Sequence, residues 1–406
     1  MKIGQLGILS RGVTYSPPED LRSESDSTSI WLLRSTNLQG GEINLDDVTI
    51  VAAHCAKPNQ RLANGDIAIC TANGSKALVG KASLVCLPNP SQYVVGAFCA
   101  RMRPNDGESP EFLAALFESG FYKSWIGRLL AGTNINNLKP SDIASCSIRM
   151  PSSLAQRNRL GEIFSLSRLQ IKTLDRLIAA KREQKRGLMQ QLLTGKLRFP
   201  GFTEPWKTVR IDQLGVVKSG GTPSTDTPEY WGGVHSWCTP TDVTALNTRY
   251  LKKTTRTISD SGVKFSAAEL LPPQSVIVCT RATVGIAAIN TIPMATNQGF
   301  KSIIPGLDVD TDFLYYAIMF VKRELLRRAA GSTFLEVSLT SFREIPILWP
   351  SSLNEQKRVS RFLGALDHEI ELLAQQRAAF AAQRRGLMEK LLSGEIDIQN
   401  PKETAA

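Results

Sequence analysis

The chain is written twice. Pro151-Ser152-Ser153-Leu154 recurs as Pro350-Ser351-Ser352-Leu353, and Lys185-Arg186-Gly187-Leu188-Met189 as Arg384-Arg385-Gly386-Leu387-Met388. Leu192-Leu193-Thr194-Gly195 likewise recurs as Leu391-Leu392-Ser393-Gly394. Each pair is separated by 199 residues without a gap, as are Gly132 and Gly331. Gln5-Leu6-Gly7 matches Gln213-Leu214-Gly215 at a separation of 208, so the early part of each half carries small insertions. Such self-similarity reads as two copies of one structural unit. A chain of 406 residues also agrees with two or three domains of roughly 150 residues.

Within each half, about 150 Gly/Pro-punctuated residues precede about 40 residues of helical pattern. In the second helical stretch Val359, Leu366, Leu373, Phe380 and Leu387 recur every seven residues. Leu363, Ile370 and Leu391 form a companion series, broken by Arg377 and Arg384. The first stretch has Leu160, Leu174 and Leu188 on one series and Phe164, Ile171, Ile178 and Leu192 on the other. Seams of this kind predict long helices packed in coiled-coil fashion, residues 153–193 reaching roughly 60 Å. To bury both seams the second helix should run back antiparallel to the first. That expectation implies a dumbbell with a pseudo-two-fold axis. Gly187 and Gly386 sit at matched helix positions, where glycine costs about 1 kcal/mol against alanine. Close helix approach and a docking point for a partner both explain them.

The variable parts read as α+β. Asp66–Cys70 and Ser275–Cys279 are short strand-like runs, bounded by turn signals at Ala63-Asn64-Gly65 and Pro272-Pro273-Gln274. One amphipathic helix is expected late in each, over Glu111–Leu130 after Pro110 and over Asp312–Arg328 with Thr311 or Asp312 as cap.

A formal net charge of +11 suggests a polyanionic partner. No apolar run is long enough for a membrane helix, and the start lacks the apolar core of a signal peptide. Seven cysteines without a Cys-x-x-Cys pair suit a reducing cytoplasm and argue against a zinc site, and the three histidines are scattered. No metal or cofactor is expected in the chain. Neither a phosphate-binding Gly-x-x-x-x-Gly-Lys-Ser/Thr loop nor a Gly-x-Gly-x-x-Gly after a strand is present. The nearest strings to an amino-methyltransferase motif, Ser16-Pro17-Pro18-Glu19 and Asn89-Pro90-Ser91-Gln92-Tyr93, both depart from it. The chain therefore reads as non-catalytic.

The second variable part carries the sharper surface motif: Lys218, Ser219, Gly220, Gly221, Thr222, Pro223 and Ser224. Backbone N–H groups and hydroxyls in such a loop suit phosphate oxygens; a plain structural turn is the alternative. Arg281, Thr283, Asn297, Gln298 and Lys301 follow, residue types that pair with guanine or adenine edges. Trp231 and Trp237 read as core, with base stacking the alternative. The weaker counterparts in the first part are Arg11, Thr14, Tyr15, Arg34, Asn37, Asn73 and Lys76. Different side chains at matched positions suit two readers of different sequences, although drift after duplication would look the same.

Pro350 to Gln356, Leu366-Asp367 and Gln383 to Gly394 together resemble the conserved helix of type I restriction specificity subunits. That family's pattern is Pro-x-x-x-x-Glu-Gln before the helix and Leu-Leu-x-Gly at its end. The first copy departs at Ala155-Gln156-Arg157, where the pattern has Glu-Gln. Lys218–Ser224 and Asn297-Gln298 resemble the family's target-recognition domain.

The resemblance implies target-recognition domains at 1–150 and 200–349, spacer helices at 151–199 and 350–398, and a tail at 399–406. It implies double-stranded DNA as ligand, read as a split, asymmetric site whose unread gap is set by helix length. Roughly 60 Å of helix spans at most about 18 base pairs. Two methyltransferase subunits would dock on the helices, with Gly187, Leu188, Gly386 and Leu387 as the expected contacts, and motor-endonuclease subunits would join them. S-adenosylmethionine, ATP and Mg²⁺ would belong to those partners. A non-DNA adaptor and an autonomous endonuclease are the rival readings. Salt-sensitive duplex binding separates the first, and Mg²⁺-dependent cleavage by the chain alone separates the second.

Overall fold

The computed structural model describes residues 1–131, 137–148, 150–330 and 335–396. Gly132, Gly331 and the tail at 399–406 lie outside them. The chain divides into unit 1, residues 1–173 with 377–406, and unit 2, residues 174–376.

Unit 1 begins with β1 (Gly7–Arg11), β2 (Leu21–Arg22), β3 (Ser29–Leu33), β4 (Leu38–Gln39), β5 (Glu42–Ile43) and β6 (Thr49–Ala52). It continues through β7 (Ile67–Cys70), β8 (Ala82–Leu84), β9 (Tyr93–Val95) and β10 (Cys99–Pro104). Helices α1 (Pro110–Glu118), α2 (Gly120–Ala131) and α3 (Pro140–Ser145) follow, then the long α4 (Leu154–Leu192). The main sheet has the order β1-β10-β7-β8, all antiparallel. A second sheet, β2-β6-β3-β9, contains one parallel pair, β3 with β9.

Unit 2 repeats this plan. It holds β11 (Lys207–Arg210), β12 (Gly215–Ser219), β13 (Trp231–Cys238), α5 (Pro240–Thr244), β14 (Tyr250–Leu251), β15 (Arg256–Ile258) and α6 (Asp260–Lys264). Then come β16 (Val276–Cys279), β17 (Ala287–Asn290), β18 (Met294–Thr296), β19 (Phe300–Pro305), α7 (Thr311–Phe320), α8 (Lys322–Arg328), α9 (Leu339–Arg343), β20 (Pro346–Trp349) and α10 (Leu353–Ser393). The main sheet runs β12-β19-β16-β17-β14, and the small sheet β15-β13-β18 again contains one parallel pair, β13 with β18. The fold is α+β, with the duplication legible in the strand order itself.

Each expected late helix is two. Ser119 breaks the first: its hydroxyl donates to the Leu116 carbonyl (2.7 Å) and accepts the Tyr122 N–H (3.2 Å), ending α1 and starting α2. Val321 separates α7 from α8. The cap of α7 is Asp310, whose carboxylate accepts the Phe313 N–H at 2.9 Å, and not Thr311 or Asp312. A carboxylate there also meets the positive end of the helix dipole.

The heptad series bury mainly at their ends. Leu160 and Phe164 of α4 join Met388, Leu391 and Leu392 of α10 in the core of unit 1. Leu192 of α4 joins Val359 and Leu363 of α10 in unit 2. In unit 2 Lys181 pairs with Glu369 (2.7 Å) and Lys185 with Asp367, so α4 and α10 run antiparallel there. At the start of α4 the departure from Glu-Gln is compensated. Arg157 is buried against Glu108 (2.5 Å) and caps the carbonyls of Pro151 and Ser152. Its counterpart Gln356 bonds Asp310 N, Asp308 O and Pro350 O.

Candidate nucleic-acid interface

The order β12-β19-β16 puts three loops on one edge of the main sheet of unit 2. Ser219 at the end of β12 pairs with Lys301, and Cys279 at the end of β16 pairs with Phe300. The Gly-rich loop after β12, the loop after β16 and the turn before β19 therefore converge. Gly220 N donates to Phe300 O (3.2 Å), Gly221 N to Thr296 O (2.9 Å) and Thr280 N to Gly299 O (2.8 Å). Two indoles fasten the loop: Trp237 Nε1 donates to Gly221 O (3.0 Å) and Trp231 Nε1 to Ser224 O (2.9 Å).

These bonds correct the reading of Gly220 and Gly221 as a phosphate cradle. Both amides are already committed inside the fold. A Cβ on Gly220 would lie 1.8 Å from Asn297 O, and one on Gly221 2.2 Å from the backbone of Ala267. The glycines are required for close backbone approach. Lys301 is also corrected. It is only 6% exposed, with its ammonium 3.7 Å from the Glu336 carboxylate.

What the edge does present is hydroxyl and amide. Ser219, Thr222, Ser224 and Gln298 are exposed, and the Thr222 hydroxyl donates to Gln298 Oε1. Lys218 is half-exposed and paired with Glu269 (2.6 Å). Asn297 is half-buried, its side-chain oxygen accepting Gly299 N at 2.9 Å, so it shapes the turn that projects Gln298. Arg281 and Thr283 are half-buried around Ala282, whose φ is +62°.

A cation that sequence reasoning passed over lies on the neighbouring small sheet. The guanidinium of Arg256 is exposed and lies 3.7 Å above the ring of Trp231 and 5.1 Å from that of Trp237. The two indoles meet edge to face at 4.9 Å. Cation–π stacking pre-orients the guanidinium without using its N–H donors. The signal was available as alternation in β13 and β15, but only the pairing of Trp237 with Arg256 places them together. Asp242 anchors the segment leading to β15. Burial acts to raise its pKa, but side-chain and backbone donors from Thr255 and Thr239 outweigh it and hold the carboxyl below its ordinary value.

Unit 1 builds the same edge with other side chains. Arg11 pairs with Ala100 and Cys70 with Cys99, and Gly12 N, Thr71 N and Ala72 N bond back to Cys99 O and Phe98 O. Arg11, Thr14 and Lys76 are exposed, the Lys76 ammonium 3.5 Å from Leu130 O, and Tyr15 is half-buried on the small-sheet core. Asn73 bridges two loops, accepting Ser75 N (3.0 Å) and donating to Ser35 Oγ (3.2 Å). Arg34 is paired with Asp47 at 2.7 Å. Asn37 is corrected: it is 2% exposed, and its amide bonds Asn44 O and Asp47 O (both 3.0 Å) and the Arg34 N–H (2.7 Å). Phe98, unnoticed in the sequence, is 68% exposed on this edge.

On the helices, Gly187 and Gly386 are exposed, and a Cβ on either would meet nothing within 4 Å. Close approach within the chain is therefore not what these glycines serve. Leu188 and Leu387 are half-buried and pack on their own unit's core, which corrects their assignment as outward contacts.

Residues 203–379 match the family model described as type I restriction modification DNA specificity domain. The chain is 34% identical over 168 residues to the MjaIX type I restriction enzyme specificity subunit of Methanocaldococcus jannaschii, covering 41% of this chain and 39% of that one. It thus spans about two-fifths of that curated relative's length. A solved chain of a type I R-M system covers 98% of this chain and 97% of its own at a TM-score of 0.60 and 18% identity. The type I restriction-modification S subunit of M. genitalium covers 98% and 96% at a TM-score of 0.58 and 15% identity. These likenesses extend the shared fold over both halves. The chain is thus similar to a type I restriction modification DNA specificity domain over residues 203–379, and it shares the fold of solved type I S subunits along its whole length.

Proposed function

We propose that this chain reads an asymmetric, bipartite DNA site and directs methyltransferase and motor-endonuclease subunits to it, performing no chemistry itself. The observation that carries this reading is the duplicated loop edge with divergent side chains. Unit 1 presents Arg11, Lys76 and Phe98 there and unit 2 Ser219, Ser224 and Gln298, with Thr14 and Thr222 common to both and Arg256 on the neighbouring small sheet of unit 2. Hydroxyls and amides suit phosphates and base edges, Arg suits guanine, and Phe98 suits an apolar contact such as a thymine methyl. Arg34, Asn73, Lys218, Arg281, Thr283 and Asn297 complete the set of proposed DNA contacts. The unread gap follows the lengths of α4 and α10. The open faces at Gly187 and Gly386 suit methyltransferase subunits, and S-adenosylmethionine, ATP and Mg²⁺ belong to the partner subunits.

The test is single-molecule mapping of modified bases in the host genome with and without the gene. Loss of adenine methylation from one split motif on deletion is the expected result. An unchanged methylome in a host whose partner methyltransferase is expressed would refute the reading.

A further inference from the structure

Beside the small sheet of unit 1, three side chains of metal-ligating chemistry come together. β2 pairs antiparallel with β6, Leu21 opposite Val51, and Ala52 N bonds Asp20 O at 2.8 Å. This sets Asp20, just before β2, against His54 and Cys55 in the single turn that follows β6. His54 Nε2 lies 3.1 Å from Asp20 Oδ1 and 4.0 Å from Cys55 Sγ. One donor atom from each of the three residues lies within 4.8 Å of the other two. Around a tetrahedral Zn²⁺, with bonds of about 2.0–2.3 Å, neighbouring donors stand about 3.4–3.6 Å apart. The observed spacings bracket that value, so small rotations of side chains suffice.

The surroundings orient the donors. The second carboxylate oxygen of Asp20, Oδ2, accepts Ser16 N at 2.7 Å, which leaves Oδ1 turned toward His54. Such an outer hydrogen bond is the usual way a ligating carboxylate is fixed. Asp20 is 14% exposed in its side chain and His54 74% exposed, so the site has a held inner wall and an open outer face. Cys55 packs against the small-sheet core of Val13, Ile30 and Val51.

We propose that Asp20, His54 and Cys55 form a three-ligand site for a borderline-soft divalent cation of the Zn²⁺ class, with water in the fourth position. One carboxylate and one thiolate neutralise the cation, and imidazole completes the set; the thiol proton passes to solvent on binding. The ion clips the ends of β2 and β6 together and so stiffens the small sheet on which Tyr15 packs. This reverses the expectation that the absence of a Cys-x-x-Cys pair leaves the chain without a zinc site. It does not depend on the DNA-reading proposal.

The test is Co²⁺ titration of the full chain, followed by its visible and thiolate charge-transfer absorption, with Zn²⁺ as competitor. One equivalent of Co²⁺ should give a thiolate band that Zn²⁺ displaces. C55S should abolish the band, and H54A and D20N should weaken binding by tenfold or more, with circular dichroism unchanged. C86S removes a cysteine that is exposed elsewhere and should leave the titration intact. Absence of a thiolate band in the wild type, or its survival in C55S, would overturn the proposal. If C55S unfolds, the folded D20N and H54A variants decide: unchanged affinity in both overturns it.

Discussion

Arg256 shows how a single exposed side chain is set in place by its neighbours. With its guanidinium carbon 3.7 Å from the Trp231 ring centroid, it has its rotamer largely chosen before any ligand arrives, so little entropy is lost on binding. Arg256→Ala should weaken duplex binding by about 1–3 kcal/mol if it contacts a base edge, measured by fluorescence anisotropy, and Arg256→Lys should recover only part of it. Lys301 belongs to the opposite case. Buried beside Glu336, it supports the sheet, so Lys301→Met should leave DNA affinity within twofold while shifting the thermal midpoint. Asp242 gives a pH signature. Its folded pKa is depressed, so its contribution is present above its ordinary value of about 3.9 and is lost as pH falls through the folded value. Asp242→Asn should remove that portion of the acid sensitivity and destabilise unit 2, as read by denaturant unfolding at pH 3 to 7.

Among the elements, α4 and α10 carry a charge exchange between the two copies. In unit 1 Glu118 of α1 joins Arg168 of α4 (3.2 Å) to Arg384 of α10 (2.5 Å). In unit 2 the positions 199 further on or back hold Asp367, Lys185 and Ala317, and Lys185 pairs with Asp367 directly. Tyr316, next to Ala317, donates its hydroxyl to Asp367 at 2.6 Å. An arginine at position 168 therefore requires the carboxylate at 118, whereas an aspartate at 367 does not. Glu118→Ala should destabilise unit 1 by about 2–4 kcal/mol, because it leaves two half-buried guanidinium groups facing each other. Glu118→Ala combined with Arg168→Asp restores the unit 2 arrangement and should recover most of the loss in urea unfolding.

At the scale of the whole molecule, a net charge of +11 enters through counterion release. The logarithm of the DNA affinity should fall linearly with that of the salt concentration, at about 0.9 per phosphate neutralised. A salt-independent affinity would favour the adaptor reading. Adding one heptad to both α4 and α10 should lengthen the unread gap of the methylated motif while leaving both half-sites unchanged. An unchanged gap would separate the helices from its control. Gly187→Leu and Gly386→Leu should leave the chain's own unfolding midpoint unchanged or slightly raised, since no atom lies near and leucine favours the helix. Loss of methyltransferase subunits from the purified complex is the expected consequence if these faces are the docking points.

The duplication, the two long helices and the α+β character are properties of local pattern and are legible without the tertiary fold. Heptad spacing and gapless repetition survive in one dimension because the helical period is set within a few residues. The site was only partly legible. The Gly220-Gly221 pair stands out in the sequence, yet whether its amides face a phosphate or Phe300 O and Thr296 O depends on strands distant in the chain. Lys301 and Asn37 look like DNA-reading residues by type, but burial is a sum over neighbours from several elements. Phe98, Arg256 and the Asp20–His54–Cys55 cluster were invisible for the same reason. Only strand pairing brings Arg256 to Trp237 and residue 20 to residues 54 and 55.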